Sequence, residues 1–261
     1  VITPLIALMQ DQVKQLKQRG IAAVAVHAGM HHREIDITLD NCIYGQQKFL
    51  YLSPERLQTE LFKERVKKMK VCLVAIDEAH CISQWGYDFR PSYLRIAEIR
   101  EELPNVPIIA LTATATSKVQ DDICEKLLFP KNYKKFQQSF ERPNLSYSVF
   151  NPTAKQTKLL EILNNTRGST LVYCKSRKQT QHIAEMLQLH KLSADFYHAG
   201  MSNEERNNKQ GQWIKNNIRI MVCTNAFGMG IDKPDVRLVV HYDVPDCLEN
   251  YYQEAGRAGR D

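Results

Sequence analysis

Two adjacent carboxylates that follow an apolar run are the residues with the clearest capacity for chemistry. Asp77 and Glu78 come directly after Val71–Ile76, and His80 lies two positions further on. The run has the composition of a strand in a parallel sheet, and such sheets bind ligands at the carboxyl ends of their strands. An Asp there can hold Mg²⁺ through water, and the adjacent Glu can orient or deprotonate an attacking water. The pattern favours metal-assisted chemistry on phosphate over an exposed acidic loop.

A second charged set lies at the end of the sequence. Gln253, Arg257 and Arg260 fall within the glycine-containing segment Asn250–Asp261. Two arginines three positions apart on a helical stretch share one face of the helix. Because a guanidinium suits the charge on a transferring phosphoryl group, we expect both arginines to act on a phosphorylated ligand. A solvated basic turn is the alternative interpretation.

Two further loops follow predicted strands. The segment 112–114 reads Thr-Ala-Thr, and its hydroxyls can relay hydrogen bonds. The segment Cys223–Asp232 includes Thr224, Gly230 and Asp232, a composition that suits contact with a nucleic-acid backbone and with a nucleotide. Strand ends of both kinds are common, so neither loop decides the function by itself.

An aromatic-rich segment comes immediately after the carboxylates. Trp85, Tyr87 and Phe89 alternate with other residues, and Arg90 and Arg95 lie close by in the sequence. Nucleic-acid bases stack on exposed rings for about 1–3 kcal/mol each, while arginine meets phosphate. The same alternation also fits a buried corner of the chain, so composition alone leaves both interpretations open.

The overall composition limits the class of protein. The chain has 261 residues, of which 43% are hydrophobic and 25% charged, with a formal net charge of +6. This balance permits a full core, and the mild positive charge permits a polyanionic partner without requiring one. The seven cysteines include no CxxC pair, which argues against a zinc site and favours buried, reduced thiols. No apolar run is long enough to span a membrane.

Short apolar runs alternate with amphipathic segments along the chain. The strand candidates are nearly continuous in hydrophobicity, as expected where both faces of a parallel sheet are covered. They are Phe49–Leu52, Val71–Ile76, Ile108–Thr112, Thr170–Cys174, Ile218–Cys223 and Val236–Tyr242. The helix candidates are Leu5–Arg19, Ser117–Leu128 and Lys178–Leu189. The alternation predicts an α/β architecture with right-handed crossovers.

An internal repeat predicts two similar α/β domains in tandem. Leu16–Met30 and Leu187–Met201 align without a gap, and each ends in His-Ala-Gly-Met. Each segment reads as the end of a helix, a turn, a strand and a loop, which argues against chance identity. Proline and asparagine break the pattern within residues 139–153, so we place the first domain at 1–140 and the second at 141–261.

Together these motifs resemble those of superfamily 2 helicases, and within that superfamily the RecQ-type DNA helicases. The order and spacing of 77–80 (Asp-Glu-Ala-His), 112–114, 228–232 and 253–260 match the superfamily pattern. The segment 81–91, Cys-Ile-Ser-Gln-Trp-Gly-Tyr-Asp-Phe-Arg-Pro, resembles the RecQ aromatic-rich loop, which senses single-stranded DNA and couples it to ATP hydrolysis. The resemblance covers essentially the whole chain.

The resemblance implies two tandem RecA-like lobes, each a parallel sheet flanked by helices, with ATP in the cleft. It implies catalytic roles for Asp77, Glu78, His80, Gln253, Arg257 and Arg260. It implies nucleotide contacts by Asp77, Glu78, Gly230, Asp232, Arg257 and Arg260, with Mg²⁺ held by Asp77 through water. It implies nucleic-acid contacts by Pro4, Ser53, Arg56, Trp85, Phe89, Arg90, Ser176, Arg177 and Thr224.

Two departures from the family pattern concern the ends. No G-x-x-x-x-G-K-[ST] phosphate loop occurs in the chain, although the family carries one before the position of Thr3 and Pro4. The family commonly continues into a zinc subdomain and a winged helix after the position of Asp261. We therefore expect a first lobe truncated at its N-terminus, a second truncated at its C-terminus, and no zinc. We also expect negligible ATP hydrolysis by the 261 residues alone.

The expected function is that of an ATP-dependent DNA helicase motor. The resemblance implies ATP and Mg²⁺ as cofactors, single-stranded and duplex DNA as partners, 3′–5′ movement, and a role in recombination and repair. A cytoplasmic, nucleoid-associated location in a bacterium is favoured over a nucleus, and no membrane association is expected. Two alternatives stay open, namely a DEAD/DEAH RNA helicase and a non-catalytic DNA-binding scaffold. The aromatic-rich loop and the ending 253–260 argue against the first, and the intact carboxylates and arginines argue against the second.

Overall fold

Two compact α/β units make up the chain, Val1–Lys135 (unit 1) and Phe136–Asp261 (unit 2). The computed structural model describes residues 1–86, 88–227 and 233–260, except for the side chains of residues 7 and 203. Every strand pair in the described residues is parallel, and helices flank the strands in both units. The predicted α/β fold class with parallel sheets is confirmed.

Unit 1 contains two parallel strand pairs and five helices in the residues described. The strands are β1 (Ala23–Val26), β2 (Phe49–Leu52), β3 (Val74–Ile76) and β4 (Ile108–Ala110). The helices are α1 (Ile6–Gln18), α2 (His32–Tyr44), α3 (Glu60–Val66), α4 (Ile99–Glu102) and α5 (Ser117–Lys126). Helices of the 3₁₀ type lie at Pro54–Gln58, Ala79–Ile82 and Pro91–Glu98. Strands β1 and β2 pair with each other, as do β3 and β4.

Ile2 joins the two strand pairs of unit 1. It forms parallel bridges to Leu52 of β2 and to Ile76 of β3. Its N–H donates to the carbonyl of Ala75 at 2.7 Å, and its carbonyl accepts from the N–H of Asp77 at 2.8 Å. The side chain is 1% exposed, so Ile2 also lies in the centre of the core of this unit. The sheet of unit 1 therefore continues from β2 to β3 through the single extended residue Ile2.

Unit 2 is built on one four-stranded parallel sheet of order β6-β7-β5-β8. Its strands are β5 (Ser169–Tyr173), β6 (Ala194–Tyr197), β7 (Ile220–Cys223) and β8 (Val236–His241). Its helices are α6 (Lys155–Asn165), α7 (Arg177–Leu189), α8 (Asn203–Ile214) and α9 (Leu248–Ala255). Strand β5 is buried along its whole length, as expected for a central strand covered on both faces.

The predicted internal repeat is a repeat of structure. Leu16–Met30 contains the end of α1 and all of β1, and Leu187–Met201 contains the end of α7 and all of β6. The extended residue Ile2 precedes α1 between β2 and β3, as β5 precedes α7 between β7 and β8. Both units therefore place their strands in the same relative order.

The predicted helices are present within one or two residues, whereas three strands are two or three residues shorter than expected. The runs Val71–Ile76, Ile108–Thr112 and Ile218–Cys223 form strands only over β3, β4 and β7. Leu73 and Leu111 are 50% and 46% exposed, so hydrophobicity alone overestimated the paired length.

The expectation of buried thiols was wrong for Cys72, which is exposed, whereas Cys81, Cys174 and Cys223 are buried. No helix in the described residues has the length and apolarity needed to cross a membrane.

We expect Ile2→Ala to destabilise unit 1 by about 2–5 kcal/mol, because it leaves a cavity at the joint between two strand pairs. The matched control is Ile37→Ala in α2, where the side chain is 52% exposed, and it should change stability by less than about 0.5 kcal/mol. Urea unfolding followed by circular dichroism measures both, and hydrogen exchange on β2 and β3 localises the effect. Equal stability of the two variants would contradict the central position of Ile2.

Candidate functional site

The carboxylate of Asp77 belongs to the residue directly after β3, whose backbone N–H still donates to the carbonyl of Ile2. Its Oδ1 accepts from the backbone N–H of Glu78 at 3.0 Å, and its Oδ2 accepts from the hydroxyl of Thr3 at 3.3 Å. Its backbone carbonyl accepts from the hydroxyl of Tyr93 at 3.0 Å, and that ring is fully buried. Burial raises the pKa of Asp77, and the two hydrogen bonds to its carboxylate partly oppose that rise. The group is therefore held rigidly in surroundings where a cation would stabilise its charge.

Glu78 adopts a left-handed backbone conformation. Its φ is 49° and its ψ is 44°, a region that costs a non-glycine residue about 1–3 kcal/mol. The left-handed residue ends the extended path of β3 and begins the 3₁₀ helix Ala79–Ile82. Strain of this kind persists where the surrounding structure compensates for it, and it occurs often at functional sites.

His80 is buried and hydrogen-bonded between two segments. Its Nδ1 lies 3.0 Å from the hydroxyl of Thr112 and 3.4 Å from Oε2 of Glu78. A carboxylate only accepts hydrogen bonds, and the hydroxyl of Thr112 can donate to the carbonyl of Thr114 at 3.3 Å. These partners together favour the tautomer with hydrogen on Nδ1. Burial lowers the pKa of His80 to about 4, so the ring is neutral at physiological pH.

A chain of contacts runs from His80 into the aromatic-rich loop. The Cys81 Sγ lies 3.8 Å from Nε2 of His80 and donates to Oδ2 of Asp88 at 3.8 Å. The same carboxylate oxygen accepts from Nε and Nη2 of Arg90 at 3.2 and 3.0 Å. His80, Cys81 and Asp88 offer ligand atoms within 4.8 Å of one another, but Arg90 already neutralises the carboxylate. Burial also raises the pKa of the Cys81 thiol to about 12, so we interpret the cluster as a hydrogen-bonded network.

Two features bring the aromatic-rich loop close to the carboxylates. A Cβ added to Gly86 would lie 2.7 Å from the carbonyl oxygen of His80, so only glycine fits there. The backbone N–H of Arg90 donates to the carbonyl of Cys81 at 2.9 Å. The loop is therefore folded back on the residues that follow Glu78.

Trp85 presents a large exposed ring at the tip of this loop. Its side chain is 66% exposed, and the ammonium of Lys118 lies 3.2 Å from the ring centroid. Lys118 belongs to the first turn of α5, which follows the Thr-Ala-Thr segment. An exposed indole beside a cation is a suitable platform for a nucleic-acid base.

The other nucleic-acid residues predicted in unit 1 are spread over its strand ends. The carbonyl of Pro4 accepts from Nη1 of Arg90 at 3.3 Å, which connects two of them. Arg56 donates to the carbonyl of His27 at 3.1 Å. Ser53 is only 5% exposed, so its side chain has little surface to offer a ligand. Phe89 is half-buried.

The arginine segment of unit 2 is not helical, contrary to expectation. Helix α9 ends at Ala255, and Gly259 has a φ of +60°, which turns the chain away from the helix axis. Arg257 is 8% exposed and hydrogen-bonds with Tyr173, whereas Arg260 is exposed. The two arginines therefore do not share one helical face, because Gly259, with its positive φ, lets the chain turn between them.

The remaining predicted residues of unit 2 follow β5 and β7 or lie in α9. Ser176 accepts from the N–H of Gln179 and caps α7, and Arg177 lies exposed beside it. Thr224 is 8% exposed, and its hydroxyl accepts from a backbone N–H of its own turn at 3.4 Å. Gln253 is half-buried in α9. Gly230 and Asp232 lie outside the described residues.

Several residues with a clear structural role at these sites had no sequence signal that identified them. Thr3 and Tyr93 hold Asp77, and Lys118 covers Trp85, although they lie far from their partners in the sequence. In unit 2, His241 at the end of β8 pairs with Glu254 of α9 at 2.9 Å and stacks on Tyr173. The segments 223–232 and 253–260 were recognisable as motifs in the sequence. The contacts of His241 with Glu254 and Tyr173, however, depend on the fold.

Comparisons with known proteins agree with this arrangement. The DEAD/DEAH box helicase family model matches residues 1–123, and the helicase conserved C-terminal domain model matches residues 154–261. The ATP-dependent DNA helicase RecQ of Haemophilus influenzae is 44% identical, over 100% of this chain and 42% of that protein. A protein of Acanthamoeba polyphaga mimivirus that is named as an ATP-dependent RNA helicase is 43% identical, over 100% of this chain and 48% of that protein.

A likeness to solved structures extends the agreement to the fold. The Mycobacterium smegmatis helicase Lhr, solved with single-stranded DNA and AMP-PNP, superposes with a TM-score of 0.68 at 19% identity. That match covers 99% of this chain and 38% of the other. The chain spans less than half the length of each of these three proteins.

We expect the stability of unit 1 to fall as the pH drops from 6.5 towards 4 because of His80. The unfolded chain takes up a proton on this ring below its ordinary pKa of 6.5, whereas the folded chain does so only near 4. This proton uptake on unfolding lowers the free energy of unfolding by up to about 3 kcal/mol as the pH approaches 4. It has no effect on stability above pH 6.5.

The measurement is a histidine NMR titration of the folded chain, combined with urea unfolding at several pH values. The His80 ring should stay neutral down to about pH 5, and His80→Gln should flatten the pH dependence of stability between 6.5 and 4. A His80 resonance that titrates near 6.5 would show that burial does not act on the ring in this way.

Proposed function

Because the chain belongs to the RecQ-type superfamily 2 helicases, we propose that it is the motor part of an ATP-dependent DNA helicase. The observation that supports this most directly is the hydrogen-bonded path in unit 1. It leads from the carboxylates through His80 and Cys81 to Asp88 in the aromatic-rich loop. In a motor, DNA binding and ATP hydrolysis must influence each other, and this path offers a route for that influence.

The carboxylates fit a role with ATP and Mg²⁺. Each oxygen of Asp77 accepts one described hydrogen bond, which leaves acceptor capacity for the water shell of a Mg²⁺ ion. Bound Mg²⁺ would neutralise charge on the phosphate oxygens. Glu78 would orient or deprotonate the attacking water, with His80 fixing the direction of its carboxylate.

DNA occupancy would reach these carboxylates through the aromatic-rich loop. A base that stacks on Trp85 competes with Lys118 for the ring, and a DNA phosphate competes with Asp88 for Arg90. Release of Asp88 changes the field at His80, because the Asp88 charge raises the pKa of His80 and the Arg90 charge lowers it. The His80 ring is therefore well placed to link DNA binding with ATP binding at the carboxylates.

Unit 2 is proposed to supply further phosphate and backbone contacts. Arg257 and Arg260 would stabilise the charge that develops on the transferred phosphoryl group, with Gln253 positioning the nucleotide or the water. Gly230 and Asp232 are also assigned to the nucleotide. Pro4, Ser53, Arg56, Phe89, Ser176, Arg177 and Thr224 are assigned to the nucleic acid. The burial of Ser53 and Thr224 favours contacts through their backbone over contacts through their side chains.

The wider activity is also part of the proposal. We infer movement along single-stranded DNA in the 3′–5′ direction, with unwinding of duplex in recombination and repair. The bacterial relative supports a cytoplasmic, nucleoid-associated location. The competing RNA helicase assignment is favoured by the name of the mimivirus relative. The non-catalytic DNA-binding scaffold stays the second alternative.

We expect ATP hydrolysis to be stimulated by single-stranded DNA and greatly reduced by Glu78→Gln. The assay compares the 261 residues alone with the protein that includes its natural flanking sequence, because the phosphate loop is absent from the former. Loss of a general base should reduce turnover by about 10²–10⁴-fold. Glu60→Gln, at an exposed position of α3, is the matched control and should keep full turnover.

The outcomes separate the candidate functions. Stimulation by RNA and not by DNA would favour the RNA helicase. Absence of hydrolysis under every condition would favour the scaffold. Rapid hydrolysis by the 261 residues alone would contradict the need for a G-x-x-x-x-G-K-[ST] loop.

We expect Trp85→Ala to weaken binding of single-stranded DNA by about 5–150-fold, because one stacked base contributes about 1–3 kcal/mol. Fluorescence anisotropy of a labelled oligonucleotide measures the affinity. Tyr44→Ala removes an aromatic ring that is 81% exposed on α2 of the same unit, and it should leave the affinity unchanged. Equal affinities of both variants and the parent would remove Trp85 from the DNA contact.

A further inference from the structure

We propose that Arg142 and Asn144 are positioning residues that hold the arginine turn, defined as residues 256–260, in the conformation required for phosphoryl transfer. The inference rests on the proposed function, because it concerns the presentation of Arg257 and Arg260. It adds Arg142 and Asn144 to the residues of the proposed site, although both lie more than a hundred positions before Arg257 in the sequence.

The first observation is a set of hydrogen bonds from these two side chains to the turn. The Nη2 of Arg142 donates to the carbonyls of Ala258 and Gly259 at 3.1 and 2.7 Å, and its Nη1 to that of Gly256 at 3.4 Å. The Nδ2 of Asn144 donates to the carbonyl of Gly259 at 2.6 Å. Two side chains thus contact the backbone on both sides of Arg257 and directly before Arg260.

The arginine turn needs outside partners because of where α9 ends. The carbonyls of Gly256, Ala258 and Gly259 lie beyond the last residue of α9, so the helix itself does not supply their donors, and this carbonyl end of the helix carries partial negative charge. A guanidinium offers several donors in a fixed plane, so it can satisfy more than one carbonyl at once. Arg142 therefore acts as a cap supplied by a distant part of the chain.

The packing at Gly259 shows how closely this cap fits. Its φ of +60° is unfavourable for other residues, and an added Cβ would lie 2.7 Å from Nδ2 of Asn144 and 3.1 Å from Cδ2 of Leu145. The N–H of Gly259 also donates to the carbonyl of Val236, the first residue of β8, at 3.1 Å. The turn is fixed to the sheet on one side and to the Arg142 segment on the other.

Aromatic contacts extend the attachment along α9. We call residues 140–147 the strap. The ring of Phe140 meets that of Tyr252 edge-on at 5.4 Å, and the hydroxyl of Tyr252 donates to the carbonyl of Phe140. The rings of Tyr147 and Tyr251 lie 6.1 Å apart. The strap thus contacts the helix on both sides of Arg142, and it follows directly after the start of unit 2.

A purely structural cap is the competing explanation, and the chain contains a matched control for it. Arg219 donates to the carbonyls of Thr166 and Leu163 at 2.6 and 3.0 Å, at the end of α6. It performs the same task at the end of α6, and none of its described hydrogen bonds reaches residues 256–260. Arg219→Gln should therefore lower stability without changing how Arg257 and Arg260 are presented.

The experiment compares Arg142→Gln, Arg142→Lys and Arg219→Gln in the protein with its natural flanking sequence. For Arg142→Gln we expect kcat of DNA-stimulated ATP hydrolysis to fall about 10²-fold with KM for ATP little changed, as for a small misplacement of a catalytic group. Amide exchange at Gly259 should accelerate about tenfold or more. Arg142→Lys should recover part of kcat, because lysine keeps the charge but not the planar fork. Arg219→Gln should keep kcat despite a lower Tm.

Three results would overturn the proposal. One is a kcat of Arg142→Gln within about twofold of the parent, and another is unchanged exchange at Gly259. The third is an equal loss of kcat in Arg219→Gln at an equal loss of Tm, which would indicate general destabilisation. Failure of the proposed function is recognised separately, because the parent itself would then show no DNA-stimulated hydrolysis.

Discussion

The ladder of backbone hydrogen bonds in the parallel sheet of unit 1 determines where its reactive side chains lie. The carbonyl of Ile2 accepts from Asp77, the carbonyl of Ile76 accepts from Leu111, and the carbonyl of Leu111 accepts from Ala79, at 2.8, 2.8 and 2.9 Å. These bonds fix the end of β3 between its two neighbours. Because parallel strands all end at one edge, Asp77 and the Thr-Ala-Thr segment emerge side by side there. The contacts of His80 with Thr112 and Glu78 follow from that registry.

A neutral, buried ring suits the proposed link better than a charged one. Burial disfavours the imidazolium, so the ring keeps one donor and one acceptor and can bond to different partners on its two sides. On one side stand the Glu78 carboxylate and the Thr112 hydroxyl, and on the other the Cys81 thiol, which burial keeps protonated. The link therefore depends on the direction of hydrogen bonds and on the nearby charges of Asp88 and Arg90. Such an arrangement responds to displacement of either charge without moving a proton out of the core.

Local features of the molecule were predictable from the sequence, and distant contacts were not. The helical period in α1, α5 and α7, and the apolar runs of β2 and β5, depend on residues close together in the chain. The same periodicity wrongly placed Arg257 and Arg260 on one helical face, because the turn that separates them is held by Arg142 from far upstream. Likewise no local pattern marks Lys118 as the neighbour of Trp85 or Tyr93 as the support of Asp77. The assigned roles of the site residues stay predictions.

The two tryptophans lie in different environments, so their fluorescence should differ. The chain contains two tryptophans, Trp85 in unit 1 and Trp213 in unit 2. Trp213 is 1% exposed among Tyr197, Phe227 and the aliphatic core, so its emission should be blue-shifted and protected from aqueous quenchers. Trp85 is 66% exposed beneath an ammonium group, so its emission should be red-shifted and accessible to iodide. Intrinsic fluorescence of the unlabelled chain can therefore report separately on the surface of one unit and the interior of the other.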